Sequence, residues 1–229
     1  MRGRFHAALA AAMLGAWTGS AAVAADNMRP AASMVIAGLA PDILGTSAVP
    51  ISAGRFSDSI QRARADATRV PALVHLVQPA RNLPPLQQLA FVQRAVTSAI
   101  QWGSDATEWG QHDYWASAAQ TLARGAGDME DRAIVKLQAL RALGFSNSDL
   151  FLTLATDRVG GPLTVLIVRI DGHYYVLDDT GGTPFLVDQR KFEFRPVISF
   201  GYYGTWVHAP PIATAAAAAT APRALHAHH

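Results

Sequence analysis

The chain carries an acidic run at the start of its most clearly marked helix, where residues 127–131 are Gly-Asp-Met-Glu-Asp. An aspartate before the first helical residue caps free backbone N–H groups, and carboxylates in the first turn oppose the positive end of the helix dipole. Asp128 is therefore the predicted N-cap, and Glu130 and Asp131 place negative charge in the first turn. We expect carboxylate oxygens to be concentrated at this helix end.

Cysteine is absent from the chain, which excludes a thiol nucleophile and disulfides. Of the 19 basic residues, Arg2 and Arg4 precede a predicted cleavage site, so the mature chain balances 17 basic against 17 acidic residues. No cluster of Lys and Arg stands out. A nucleic-acid-binding role is therefore excluded.

Two more helices precede this one in the predicted order of elements. Pro84-Pro85 starts a helix whose apolar residues recur at helical spacing up to Ile100, and residues 116–124 form a shorter helix. The loop between them holds three tryptophans, which can line a ligand groove or, as we favour, pack the loop onto the domain: Trp102, Trp109 and Trp115.

The second half of the chain changes to a strand-like pattern. The segments rich in β-branched and apolar residues are 151–156, 163–170, 173–177 and 195–200. An Asp-Gly pair between the second and third segments predicts a two-residue hairpin that pairs Ile170 with His173. By alternation, Leu163 and Asp178 share one face within roughly 8 Å, and His173 lies on the other face. Helices followed by antiparallel strands predict an α+β domain.

Both ends of the chain are predicted to lie outside this domain. The N-terminus has two arginines, a short apolar stretch and an Ala-Val-Ala cleavage pattern, which together indicate a bacterial export signal. No later apolar run is long enough for a transmembrane span. The predicted divisions are a signal peptide at 1–24, an N-terminal lead-in at 25–80, the domain at 81–209 and a disordered Ala/Pro/His tail at 210–229.

Four blocks of this domain occur in the order typical of one known family. They are Asp113-Tyr114-Trp115, residues 122–131 (Leu-Ala-Arg-Gly-Ala-Gly-Asp-Met-Glu-Asp) with 133–136 (Ala-Ile-Val-Lys), residues 140–144 (Leu-Arg-Ala-Leu-Gly), and the strand residues 165–169 (Val-Leu-Ile-Val-Arg) with 176–178 (Val-Leu-Asp). On these residues, the chain from Phe91 to Val207 resembles the bacterial transglutaminase-like cysteine proteinases, a periplasmic family. The resemblance implies a papain/transglutaminase-like core with helices packed on an antiparallel sheet. It also implies surface adhesins or inner-membrane receptors as protein partners.

The resemblance also assigns positions to the family's catalytic triad. The family's cysteine, at a helix N-terminus that favours a thiolate, corresponds to Met129. The histidine at the start of a strand corresponds to Leu163, and the aspartate after the next strand is retained as Asp178. A thioether has no proton to lose and cannot act as the nucleophile. We therefore expect a vestigial site in which Met129 and Leu163 pack together and Asp178 bonds to a polar neighbour or to water.

Some members of the family bind calcium through the acidic residues that flank the cysteine. The matching positions here are Asp128 and Glu130, with Asp131 adjacent, and hard oxygen ligands suit calcium. The alternative is that Asp128 only caps the helix and the other carboxylates only complement its dipole. No other cofactor is indicated.

These observations favour a catalytically inactive periplasmic protein that binds a protein or peptide partner. Two alternatives stay open: a peptidase with a different nucleophile, and an envelope module with no ligand. The hydroxyl groups in the region belong to Ser117, Thr121 and Thr164, and none is predicted to lie at the helix N-terminus facing Asp178. His208 follows the last predicted strand and is not placed by the pattern.

Overall fold

A computed structural model describes residues 40–43, 46–186 and 194–209. The helices in these ranges are α1 (Ser57–Arg64), α2 (Pro71–Val77), α3 (Pro85–Ala99), α4 (Asp105–Glu108), α5 (Ala118–Arg124) and α6 (Met129–Ala142). The strands are β1 (Ser47–Ile51), β2 (Gln101–Trp102), β3 (Ala126–Gly127), β4 (Leu150–Asp157), β5 (Pro162–Ile170), β6 (His173–Leu177), β7 (Phe185–Leu186), β8 (Phe194–Phe200) and β9 (Thr205–Ala209).

Within the described residues, seven strands form one antiparallel sheet in the order β1-β9-β8-β4-β5-β6-β7. The predicted hairpin is present: Ile170 pairs with His173, and Leu166 with Leu177 at the end of β6. Its two turn residues both have positive φ, Asp171 at 50° and Gly172 at 80°, as the tight turn requires. The prediction of helices packed on an antiparallel sheet is confirmed.

Alternating residues divide the sheet into two buried faces. Leu152, Leu166 and Val168 belong to the main core together with apolar residues of the helices. Their neighbours Phe151 and Val165 belong to a second cluster on the opposite face. Because side chains alternate along a strand, the face of each residue decides whether it can reach α6.

The sequence of α6 predicts a single apolar stripe, but the helix is buried on most of its circumference. Lys136 and Gln138 are buried along with the apolar residues. Gln138 Nε2 donates to the Ala63 carbonyl of α1 at 2.7 Å, and Lys136 Nζ donates to the Asp178 carbonyl. These bonds hold the helix between α1 and the sheet, since a buried polar group is costly without a partner.

The predicted lead-in is partly wrong, because residues 47–80 belong to the folded domain. Strand β1 pairs with β9, and Ile60 of α1 and Leu73 of α2 are buried in the main core. Short helices and an edge strand lack a long periodic pattern, which explains why the sequence did not reveal them. The predicted signal peptide and the tail lie outside the described residues. No helix in the described ranges is both long and apolar enough to span a membrane.

Candidate functional site

The turn before α6 is built from two short elements and a capping aspartate. Gly125 ends α5 in the left-handed region at φ 70°, after which β3 pairs in parallel with β2. Asp128 Oδ1 then accepts hydrogen bonds from the backbone N–H groups of Glu130 and Asp131 at 3.1 and 3.2 Å. The predicted N-cap is confirmed, and Met129 is the first residue of the helix.

Met129 contacts the beginning of β5 through its sulfur. Met129 Sδ accepts a hydrogen bond from the backbone N–H of Thr164 at 3.2 Å. The Thr164 hydroxyl donates to Glu130 Oε1 at 2.6 Å, and Thr164 is only 3% exposed. Thr164 is therefore the β5 residue that faces the start of α6, although the sequence assigned no hydroxyl to this place.

Leu163 does not meet Met129, contrary to the sequence prediction. It packs against the second cluster, which contains Phe151 and Val165 on the face of the sheet away from α6. The predicted alternation along the hairpin is correct, but α6 covers the face of Thr164 and Leu166. The side chain at residue 163 therefore points away from the helix N-terminus.

Asp178 lies just beyond the end of β6, where strand alternation no longer applies. Its Oδ1 accepts from Gln93 Nε2 of α3 at 2.8 Å and from the Thr180 hydroxyl at 2.7 Å. The expectation that Asp178 bonds to polar neighbours is confirmed. The pKa of nearby Lys136 is lowered to about 8, and burial is the largest cause of this shift. The carboxylate is thus held on the α3 and α6 side of the sheet.

Arg132 binds Asp179, the residue that follows Asp178. Its guanidinium forms a salt bridge with Asp179 at 2.8 Å and donates to the Ile100 carbonyl at 2.8 Å. Arg132 also lies 5.7 Å from the ring of Trp102, which is 45% exposed. Trp102 therefore presents an aromatic surface beside the start of α6.

The other two tryptophans pack the loop, as favoured from the sequence. Trp115 is buried against Phe56 and Phe200 at centroid distances of 5.8 and 5.7 Å. Trp109 stacks between Tyr114 at 4.9 Å and the Arg124 guanidinium at 4.3 Å. The aromatic loop thus packs against the acidic residues at the start of α6.

Three carboxylates converge at the N-terminus of α6: Asp105 of α4, Asp128 and Asp131. One oxygen from each lies within 4.8 Å of the others. Asp105 Oδ2 accepts from the Tyr114 N–H at 2.6 Å, and Asp131 Oδ1 from the Ala116 N–H at 2.7 Å. The remaining oxygens, Asp105 Oδ1 and Asp131 Oδ2, are buried and accept no hydrogen bond of regular geometry in the described part of the chain, although the Trp109 side chain lies close enough to Asp131 to lower its pKa.

Negative charge on these buried carboxyl groups is unfavourable, and their pKa values are therefore raised. Burial, and then the charge of Asp128, raises the pKa of Asp131 to about 7. Burial also raises the pKa of Asp128, with the charge of Glu130 as the second cause, and burial raises that of Asp105. None of the three forms a salt bridge within the described ranges. A hard cation would compensate this charge, and the two unpartnered oxygens are suitable ligands for it.

This set differs from the predicted pair of calcium ligands. Asp128 belongs to it, but Glu130 directs Oε1 to Thr164 and is outside the group of three. The sequence did not connect Asp105 with α6. Strands β2 and β3 bring Asp105 close to α6, because residues that follow two parallel strands emerge at the same edge of the sheet. The N–H of Gly103, just after β2, bonds to the Gly127 carbonyl at the end of β3 at 3.1 Å. Strands of two residues carry no recognisable sequence pattern.

The remaining candidate side chains are not at this site. Ser117 caps α5, and the hydroxyl of Thr121 donates to the Ser117 carbonyl at 3.2 Å. His173 is exposed at the hairpin, at the far end of β6 from Asp178. His208 is buried on β9, where Nε2 bonds to the Ser199 hydroxyl at 2.8 Å. Neither His173 nor His208 therefore supplies an imidazole beside Met129.

A helix N-terminus set against an antiparallel sheet, with an aspartate held beside the next strand, defines a papain/transglutaminase-like protein of the cysteine-peptidase type. The chain belongs to the bacterial transglutaminase-like cysteine proteinase family (BTLCP), whose sequence profile matches residues 46–210. Among curated proteins, no match was found.

Solved structures agree with this assignment. Calcium-bound Legionella pneumophila LapG is 25% identical, with 69% of this chain and 88% of that chain covered and a TM-score of 0.53. EGTA-treated LapG from the same organism is also 25% identical, with 71% and 89% covered and a TM-score of 0.53. The fold of this chain is therefore similar to that of LapG.

Proposed function

We propose that this chain is a catalytically inactive member of its family, which acts by binding a protein or peptide segment. The observation that carries the proposal is the first residue of α6, where a chain without cysteine has Met129. The helix dipole and free N–H groups at this position favour a thiolate, but a thioether has no proton to lose. Its sulfur instead accepts the Thr164 N–H.

The rival function is a peptidase that uses a hydroxyl nucleophile, and Thr164 is its best candidate. The hydroxyl of Thr164 donates to a carboxylate of Glu130, a pairing that in principle activates an alcohol. However, Thr164 is 3% exposed, and its backbone is tied to Met129. A substrate carbonyl cannot approach this oxygen without displacement of the start of β5.

We also propose that calcium binds to Asp105, Asp128 and Asp131. Two unpartnered buried oxygens and the raised pKa values of the carboxyl groups support this assignment. The related LapG structures include one bound to calcium and one treated with EGTA. Bound calcium would neutralise the carboxylates and tie α4 to α6, and would thereby order the start of the cleft.

The partner we propose is a periplasmic protein segment, of the adhesin or inner-membrane receptor type suggested by the family resemblance. Export by the N-terminal signal would bring the mature chain to the periplasm. The exposed ring of Trp102 beside the α6 N-terminus supports a peptide-binding role, since aromatic rings supply contact area at little conformational cost. An envelope module without a ligand would not need this exposed ring.

The decisive test is the restoration of the missing chemistry in the observed geometry. We expect Met129→Cys combined with Thr164→His to give detectable cleavage of an adhesin-derived periplasmic peptide, measured by mass spectrometry of the products. The matched control is Met129→Cys with Leu163→His, which places the imidazole on the far face and should stay inactive. Activity of the control alone would show that residue 163 faces the cleft.

The unmodified protein supplies the complementary measurement. It should neither cleave the peptide nor form an acyl adduct, with or without calcium, and it should bind the intact peptide in calorimetric titrations. Hydrolysis by the unmodified protein that disappears in Asp178→Ala would overturn the proposal. Trp102→Ala should weaken peptide binding, and an unchanged affinity would move the binding surface elsewhere.

A further inference from the structure

Met129 contains the only sulfur atom in the part of the chain that the structure describes. Of the five methionines, the others all lie within residues 1–34, and the chain has no cysteine. Met129 is partly exposed at the first residue of α6. A thioether cannot be deprotonated, but a peroxide can oxidise it to a sulfoxide, which reductases convert back. Oxidation at sulfur is therefore the chemistry available at this position.

The sheet leaves a backbone N–H group of β5 facing this sulfur. Strand β6 ends at Leu177, opposite Leu166, and within the described residues no strand pairs with β5 beyond this point on the same side. Thr164 is two residues before Leu166, so its N–H points to that side. Met129 Sδ accepts this N–H at 3.2 Å. The sulfur thus takes the place of the next strand partner, and one of its two lone pairs is engaged.

The engaged side of the sulfur has no room for an oxygen atom. A hydrogen bond from an N–H to an oxygen needs about 2.9 Å between nitrogen and oxygen alone. The Sδ atom of Met129 and the nitrogen of Thr164 are only 3.2 Å apart. The Thr164 backbone is held in place, because it pairs with Leu154 of β4 and its hydroxyl donates to Glu130 Oε1 at 2.6 Å. Only the second lone pair can therefore react while the protein is folded.

We propose that Met129 is a reversible oxidation site that forms a single sulfoxide epimer in the folded protein. Hydrogen peroxide is the oxidant. The second lone pair of the sulfur forms a bond to one peroxide oxygen as the O–O bond breaks, and the proton of that oxygen passes to the departing hydroxide, which leaves as water. The sulfur loses two electrons and the peroxide gains them. The sulfoxide sulfur is a stereocentre, so the lone pair that reacts decides its configuration.

This modification has a consequence for binding, which rests on the proposed peptide-binding function. Oxidation converts an apolar side chain at the start of α6 into a polar one, and peptide affinity should therefore fall roughly tenfold. The Met129→Leu variant, which keeps Met28 and Met34, should retain its affinity after the same peroxide treatment. If the unmodified protein binds no peptide, this consequence fails with the proposed function, whereas the epimer measurement requires no peptide.

Mass spectrometry of one tryptic peptide tests the proposal. Trypsin cleaves after Arg124 and Arg132, so Met129 lies in a peptide of residues 125–132 that contains no other methionine. The folded mature protein is oxidised with hydrogen peroxide and digested, and the peptide is treated separately with the reductase for the S epimer and with that for the R epimer. One reductase should restore at least roughly tenfold more unoxidised peptide than the other. Similar amounts of both epimers, or no oxidation of Met129 in the folded protein, would refute the proposal.

Oxidation in concentrated urea is the control for the effect of the fold. The unfolded chain exposes both lone pairs of the sulfur and should give both epimers in comparable amounts. The matched variant is Thr164→Val, which loses the hydroxyl bond to Glu130 but keeps the backbone N–H, and it should still give a single epimer. A single epimer in urea would assign the selectivity to the local sequence and would overturn the role of the folded strand.

Discussion

At the residue scale, the proposed lack of activity depends on Met129 at the start of α6 and on the absence of an imidazole from His173 or His208 beside it. Asp128 caps the helix that begins at Met129, and Asp178 accepts a hydrogen bond from Gln93 of α3. A thiol in this position would be acidified by the dipole, whereas the thioether responds only as a weak acceptor for the Thr164 N–H.

The proposed calcium ligands, Asp105, Asp128 and Asp131, supply the first prediction at this scale. Calcium at a concentration of about 100 times its dissociation constant should stabilise the protein by about 2.7 kcal/mol. For a domain of this size, that corresponds to a rise in melting temperature of roughly 5 to 10 °C. Asp105→Asn and Asp131→Asn should each reduce the rise, measured by thermal melts in calcium against EGTA.

Two variants act as controls for these melts. Glu130→Gln should retain most of the rise, since Glu130 directs its Oε1 to Thr164. Asp58→Asn, in the first turn of α1, should retain all of it. A complete loss of the calcium effect in Glu130→Gln, with no loss in Asp105→Asn, would instead favour the ligand pair predicted from sequence.

At the scale of elements, the packing of β3 against α6 decides the shape of the acidic site. A Cβ added to Gly127 would lie 2.7 Å from both Cβ and Oδ2 of Asp131. Contacts this short require a shift of the first turn of α6. Glycine at residue 127 thus permits the close approach of β3 that places Asp131 beside Asp105.

We therefore expect Gly127→Ala to lower the free energy of unfolding by about 1 to 3 kcal/mol, by overpacking. The same variant should also lose the calcium-dependent rise in melting temperature, because Asp131 is displaced. Gly182→Ala is the matched control, since its Cβ would meet only the Thr180 hydroxyl at 3.3 Å. Urea denaturation curves measure both variants, and equal stability of the two would contradict the proposed close approach.

At the scale of the whole molecule, a buried histidine connects the N-terminal segment to the far face of the sheet. Thr46 Oγ1 donates to the Ile43 carbonyl at 2.7 Å, so it must accept from His208 Nδ1 at 2.8 Å. Nε2 is then the acceptor for the Ser199 hydroxyl at 2.8 Å. The Ser199 oxygen is also 2.8 Å from the Thr153 hydroxyl of β4. The network joins three strands and the segment before β1.

Burial lowers the pKa of His208 from 6.5 to about 4, so the imidazole is neutral in the folded state. The folded pKa lies below the unfolded value, and the neutral form is therefore stabilising above pH 6.5. That stability should be lost as the pH falls toward 4, by roughly 3 kcal/mol in total. The difference in unfolding free energy between the native protein and His208→Gln, measured by urea titration at several pH values, should show this slope, because the raised pKa values of Asp128 and Asp131 add the same opposite slope to both proteins.

The His208→Gln variant should lose only this contribution to the pH dependence, because glutamine keeps polar contacts but does not titrate. His173→Gln at the exposed hairpin should leave the slope unchanged. An equal slope in the native protein and His208→Gln would assign the acid sensitivity to other groups.

The sequence by itself determined the type of the longer elements (α3, α5, α6, β4, β5, β6 and β8), the hairpin register and the absence of a thiol. These properties depend on local periodicity, turn residues and composition, which are visible within a short segment. Ile170 with His173 and the Asp128 cap are examples. The loss of cysteine chemistry also needs no coordinates, since the chain has no cysteine to place.

Only the tertiary structure decided which side chains meet at the start of α6. Alternation along β5 groups Leu163 with one face and Thr164 with the other, but it does not say which face α6 covers. In the same way, Asp105 reaches Asp131 only because two short parallel strands end at one edge. Contacts between distant segments depend on packing of the whole core, and no local pattern in the sequence encodes them.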